Sequence, residues 1–217
     1  MDPLTVMQQL GLVPVVEIPR ADLALPLAQA LVDAGLPSVE ITFRTSAAEA
    51  AIELIASRFP DMLLGAGTVL STDQVDRAVS AGARFVVAPG FSPRVVEHCL
   101  AKGVPIIPGV STPTEVEAAL ARGVTTVKFF PAEAMGGVTY LRAIRAPYRG
   151  MRFVPTGGIT LDNLPDYLAV DGVIACGGSW VAPKELLAAG DFKAIEKLTA
   201  AAVATVERVR ADASRVT

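Results

Sequence analysis

Histidine is nearly missing: His98 is the one imidazole in 217 residues. Zinc or iron sites built from several histidines therefore cannot form within one chain, and Ser-His catalysis would rest on this residue alone. His98 precedes Cys99 on an expected helix, away from any strand end, and reads as structural or surface. Cysteine is almost as scarce. Cys99 and Cys176 carry no CxxC spacing and read as buried, reduced thiols of a cytoplasmic protein. Long apolar runs are lacking too, and none approaches the roughly 20 residues that span a membrane. The N-terminal "MDPLTVMQQLGL" has no basic segment followed by an apolar run, so no signal peptide is expected. A basic excess is absent as well. Nineteen Lys and Arg against 22 Asp and Glu give a net charge of −3, which offers no footprint for nucleic acid or an anionic membrane surface. A small acidic substrate remains admissible, because a local cluster of donors can oppose the global charge. No linker, charge run or low-complexity segment interrupts the chain, so residues 1–217 are read as one domain.

What is present is apolar sequence in short pieces. Hydrophobic residues make up 52% of the chain, and the mean hydropathy is +0.47, the pattern of strands buried on both faces. Eight such strands are expected: 13–18, 38–44, 63–68, 85–90, 105–110, 126–131, 152–157 and 172–178. Helical patterns separate them. Leu23, Leu27, Ala30, Leu31 and Ala34 form one stripe, and Ala51, Ile52, Ile55 and Phe59 another. Gly35, Gly82, Gly103 and Gly123 fall where helices should stop, as left-handed caps. Repeated βα units leave a closed (β/α)8 barrel or an open doubly wound sheet. The count and even spacing favour the barrel, and no GxGxxG follows the first strand. Segment 2–11 reads as a helix closing the barrel bottom. The amphipathic stretch Phe192, Ile195, Leu198, Ala202, Val206 and Val209 reads as the last outer helix.

In such a barrel the chemistry belongs at the C-terminal strand ends. Of five lysines, Lys102, Lys184, Lys193 and Lys197 fall on helices or loops, where a solvated face explains them. Lys128 alone lies inside a strand, in "TTVKFFPAEA". Alternation turns Val127 and Phe129 toward the outer helices and Lys128 and Phe130 inward. One reading is a buried lysine satisfied by Glu40. The other is a Schiff-base lysine, kept neutral by burial and by a neighbouring cation such as Arg44. In "VEITFRT", Glu40, Thr42 and Arg44 share a strand face at i, i+2 and i+4. The guanidinium suits a planar carboxylate, and Glu40 beside an amine suits proton transfer. "GAGT" (65–68), "PTGGI" (155–159) and "CGGSW" (176–180) are turns that bring backbone close to a ligand. The last two follow strands seven and eight, where barrels commonly hold phosphate.

The motifs "VEITFRT", "GAGTVL", "APGFSP", "IPGVSTPTE", "KFFPAEAMGG", "PTGGIT" and "GGSW" resemble, in order and spacing, the 2-keto-3-deoxy-6-phosphogluconate (KDPG) and 4-hydroxy-2-oxoglutarate (KHG) aldolases. The resemblance runs from Val13 to about Leu198. It implies a class I aldolase on a (β/α)8 barrel, homotrimeric, free of metal and cofactor. It implies that Lys128 forms an imine with the substrate ketone and that Glu40 is the general acid/base. Arg44 and Thr68 would hold the pyruvate carboxylate. Thr156, Gly157, Gly158, Gly177, Gly178 and Ser179 would line the hydroxyl and phosphate end, with Pro89 and Phe130 as pocket wall. Met135 stands where a polar or small residue is expected, and Phe43 where aliphatics vary; both bear on substrate range alone. Two further substrates stay open, 4-hydroxy-2-oxoglutarate and the galactonate-derived epimer. The competing classes are a non-Schiff-base phosphate-binding barrel lyase or isomerase, in which Lys128 acts by charge, and a non-catalytic sugar-phosphate binder.

Overall fold

Alternation of large and small side chains decides which face of each strand turns inward. A computed structural model describes residues 1–216, with side chains through residue 212. Its strands are β1 (Leu12–Val16), β2 (Ser38–Thr42), β3 (Leu63–Gly67), β4 (Phe85–Val87), β5 (Ile106–Ile107), β6 (Gly109–Val110), β7 (Thr126–Phe129), β8 (Arg152–Pro155) and β9 (Cys176–Gly178). All pairings between them are parallel. Val39 and Ile41 turn out toward the helices while Glu40 and Thr42 alternate with them. Val13, Leu63, Phe85, Val87, Ile107 and Val154 form the inner cluster. Gly65 pairs with Phe85 across β3 and β4, and a Cβ on Gly65 would overlap the Phe85 ring, so the missing side chain makes room for the large one.

The ladders divide into a six-stranded sheet, ordered β5-β4-β3-β2-β1-β9, and a three-stranded sheet, β6-β7-β8. A single ring of eight was expected. Its fifth strand, read as 105–110, is split at Pro108, which has no N–H to give to a ladder. Pro108 still accepts a hydrogen bond from Lys128 N–H at 2.9 Å. The expected eighth strand also shortens to Cys176–Gly178, with Val173 in an isolated bridge to Phe153 and a second bridge joining Thr156 to Gly177. Glu17, Arg44 and Pro89 thus lie beyond the ends of their strands.

The helices are α1 (Pro3–Leu10), α2 (Ala24–Asp33), α3 (Ala48–Arg58), α4 (Thr72–Ser80), α5 (Pro93–Ala101), α6 (Pro113–Leu120), α7 (Gly137–Arg145), α8 (Leu164–Leu168), α9 (Lys184–Ala189) and α10 (Phe192–Val216). After α2 the Gly35 N–H bonds Val32 O and the Leu36 N–H bonds Leu31 O, a Schellman stop with Gly35 at φ +82°. The same pair of bonds recurs at Gly82, Gly103 and Gly123. Each stop is followed by an apolar residue, Leu36, Ala83, Val104 or Val124, that leads toward the next strand. Asp2 caps α1, and Met7 on that helix, 1% exposed, belongs to the inner cluster. Arg210 of α10 donates to Gln8 O and Gln9 O at the C-terminal end of α1. Among the described residues no helix is long and apolar enough to cross a membrane.

Candidate functional site

β7 carries Lys128 inward between Val127 and Phe129, both fully buried in the outer core. Phe129 stacks on Tyr140 with ring centroids 5.9 Å apart. The Lys128 amine lies 3.7 Å from Glu40 Oε1, and the two side chains are 6% and 5% exposed. That separation is too long for a hydrogen bond, and Glu40 Oε1 has no hydrogen-bond partner. A buried carboxylate oxygen left this way costs about 1–3 kcal/mol. Gly67 makes the position feasible, since a Cβ there would overlap the Glu40 carboxylate. The amine also sits 5.2 Å from the centroid of the Phe130 ring, at the start of a cis Phe130–Pro131 peptide.

Arg44 stands at the mouth instead of on the strand face expected for it. β2 ends at Thr42, whose hydroxyl donates to Val16 O, and the Arg44 N–H turns back to Thr42 O. The guanidinium, 45% exposed, donates to Thr68 Oγ1 at 3.0 Å and approaches Glu17 Oε2 at 3.7 Å. Thr68 has φ +55°, a left-handed conformation that costs a β-branched residue on the order of 1–3 kcal/mol. Its hydroxyl is thereby aimed at Arg44.

On the opposite wall, "PTGG" follows β8. Thr156 O and Gly157 O accept from Ala132 N–H and Glu133 N–H, which ties this loop to the one after β7. Glu133 reaches beneath Gly158 to hydrogen-bond the Tyr167 hydroxyl. Burial, then the hydrogen bond to Glu133, pushes that phenol far above its ordinary value. Gly177 faces inward, where a Cβ would overlap the Thr156 hydroxyl. Gly178 faces outward against the Trp180 ring, so only its backbone lies near the site.

These elements enclose a cavity of about 210 Å³ lined by Val15, Arg44, Lys128, Phe130, Thr156, Gly157, Gly158, Ile159, Gly177 and Ser179. Val15, Arg44 and Ser179 also line an outer cavity of about 360 Å³ with Glu17, Trp180 and Lys184. Most of the residues expected at the site are brought together here. Pro89 lines a different, open groove of about 280 Å³ with Val69, Leu70 and Phe91. Glu17, at 26% exposure, pairs with Lys184 at 2.8 Å. That hydrogen bond, then the Lys184 and Arg44 charges, hold its carboxyl below the usual glutamate range despite some desolvation. Lys184, expected on a solvated face, is the exposed first residue of α9 and lines the outer cavity. His98 bonds Asp76 Oδ1 at 2.7 Å on the outer surface, as a structural histidine should. Cys99 and Cys176 are buried and free. Among the described residues, no three His, Cys, Asp or Glu side chains gather as a metal site.

The KDPG and KHG aldolase family matches residues 4–198 of the chain. The 2-dehydro-3-deoxy-phosphogluconate aldolase of Treponema pallidum is 51% identical over 193 residues, covering 89% of this chain and 92% of its own. The KHG/KDPG aldolase of Escherichia coli is 43% identical over 191 residues, covering 88% and 90%. Among solved structures, the KDPG aldolase of Legionella pneumophila, with pyruvate captured at low pH as a covalent carbinolamine intermediate, superposes with a TM-score of 0.90. Its identity is 38%, and 93% of this chain and 98% of that one are covered. The Zymomonas mobilis enzyme with 3-phosphoglycerate gives a TM-score of 0.87 at 38% identity, covering 94% and 96%.

Proposed function

The chain belongs to the KDPG and KHG aldolase family, and from that membership we propose that it cleaves 2-keto-3-deoxy-6-phosphogluconate through a Schiff base on Lys128. The products are pyruvate and glyceraldehyde 3-phosphate, and 4-hydroxy-2-oxoglutarate is cleaved to pyruvate and glyoxylate by the same steps. The observation that carries the mechanism is the buried Lys128–Glu40 ion pair at 3.7 Å, whose lysine lines the open cavity and shares a small pocket of about 10 Å³ with Glu40.

The unprotonated Lys128 amine adds to the C2 ketone, giving a carbinolamine that loses water to become an iminium. Glu40 takes the C4 hydroxyl proton as the C3–C4 bond breaks. The aldehyde departs while the bonding pair moves into the iminium to form an enamine. Proton return to C3 and hydrolysis release pyruvate and the free amine. Arg44, braced by Thr68, is suited to the substrate carboxylate, and the backbone N–H groups of Gly157, Gly158 and Gly177 with Ser179, which line the cavity, to the phosphate, with Gly178 between the last two. Phe130 walls the imine. Pro89 acts from its neighbouring groove by shaping the loop that backs onto Gly109.

The two sheets are best taken as one closed (β/α)8 barrel forming a single domain. Pro108 alone separates β5 from β6, two bridges span from the β8 side to the β9 side, and Met7 of α1 supplies the floor. The assembly proposed is a homotrimer acting in the cytoplasm. Support comes from the apolar groove at Leu70, 63% exposed, and from two thiols left unpaired.

Incubation with pyruvate, reduction with borohydride and peptide mass mapping test the chemistry. A stable adduct on the Lys128 peptide is expected, lost in Lys128→Arg together with cleavage. Glu40→Gln is expected to trap pyruvate still but to turn over at least about 100-fold more slowly. An unmodified Lys128 at saturating pyruvate refutes the Schiff base, and an unchanged kcat in Glu40→Gln refutes the role of the carboxylate.

A further inference from the structure

Just past β1, Glu17 holds its carboxylate between two cations at the mouth of the site. Lys184 Nζ lies 2.8 Å from Oε1, and an Arg44 nitrogen lies 3.7 Å from Oε2. Lys184 and Glu17 are 167 residues apart in sequence, so the pairing joins the loop after β1 to the start of α9 across the opening. All three residues line the outer cavity, and Ser179 and Arg44 are shared with the inner one, so the Lys128 cavity opens onto Lys184.

Lys128, Arg44 and Lys184 bring positive charge to these walls, against Glu17 and Glu185 on the outer one, and the substrate presents three groups to be met. Lys128 is taken by the ketone. Arg44 is braced by Thr68 for the carboxylate. The glycine loops offer N–H groups to a phosphate but no full charge. Lys184 remains, at the outer end, 65% exposed. An exposed ion pair is weak, so a doubly charged phosphate outcompetes a single carboxylate for the ammonium. We propose that Lys184 is a specificity-determining cation that receives the terminal phosphate of the substrate, with Glu17 as the internal anion that holds it at the mouth between turnovers. The proposal rests on the aldolase reading above.

The experiment compares kcat/KM for 2-keto-3-deoxy-6-phosphogluconate with that for the same acid lacking phosphate. Wild type, Lys184→Ala, Lys184→Arg and Glu17→Gln are assayed. In Lys184→Ala the preference for the phosphorylated substrate should fall about tenfold, through KM, and Lys184→Arg should restore most of it. Glu17→Gln should lower KM for the phosphorylated substrate and strengthen competitive inhibition by inorganic phosphate, because its anion no longer competes. An unchanged preference in Lys184→Ala, or equal losses on both substrates, overturns the proposal for Lys184. An unchanged or raised KM in Glu17→Gln overturns the part given to Glu17. Pyruvate trapping on the same preparations separates the two readings. A wild type that fails to trap removes the aldolase premise, whereas intact trapping with an unchanged preference removes only Lys184.

Discussion

A lysine and a glutamate buried within 4 Å of each other are ordinarily expected to satisfy one another. Here they meet as an ion pair at 3.7 Å without a hydrogen bond, and missing side chains decide where the carboxylate can lie. Gly67 lets the Glu40 carboxylate lie back against β3, and Gly177 does the same for the Thr156 hydroxyl on the facing wall. A Cβ on Gly67 would overlap Glu40 Oε1 and come within 2.7 Å of its Cγ and Cδ, while the backbone there needs no left-handed angle. Gly67→Ala should therefore fold and still trap pyruvate on Lys128, because the lysine is untouched. Its carboxylate must move by an ångström or more, and a shift of that size costs on the order of 100-fold in kcat. Steady-state cleavage alongside borohydride trapping checks this; kcat within threefold of wild type would show that Glu40 has no fixed place in the chemistry.

The elements follow rules that single residues announce. Alternation along "TTVKFF" placed Phe129 on the outer helices and Lys128 inside, and both are found there. Gly35, Gly82, Gly103 and Gly123 are all left-handed helix stops. The two glycines tested against each other separate backbone from space. A Cβ on Gly35 would meet nothing nearer than Val203 at 4.0 Å, whereas on Gly82 it would lie 2.5 Å from the Ala56 Cβ. Gly35→Ala should cost about 1–2 kcal/mol from the left-handed angle alone, and Gly82→Ala about 1–3 kcal/mol more from crowding. Denaturant melts decide this, and equal losses would discredit the packing argument. Strand ends were less legible, because a ladder stops where its neighbours stop. That is why Arg44 was placed on a strand it has already left, whereas the break at Pro108 in a strand read as continuous follows from its missing N–H. Lys184 was illegible for a related reason: its partner Glu17 is brought to it only when the first and last strands become neighbours.

At the scale of the whole molecule, α1 and α10 are tied together and an apolar groove at Leu70 is left open. α10 lies against α2 and α8, and Arg210 holds the end of α1, whose Met7 fills the inner cluster beneath Lys128 and Glu40. The chemistry is thus sealed from below and open above. Beside the opening, Val69, Leu70, Ala88, Pro89 and Phe91 line a groove in which Leu70 is 63% exposed. Burying such a leucine against another copy would contribute about 1.5–3 kcal/mol per subunit, and an aspartate there would oppose it. In an isolated subunit the same change alters mainly a solvated position, which is usually worth no more than about 0.5 kcal/mol. If the proposed trimer forms through this groove, Leu70→Asp should keep the far-ultraviolet spectrum of the wild type while its mass by light scattering falls from three subunits to one. A variant that remains trimeric places the interface elsewhere, and a monomeric wild type removes the trimer altogether.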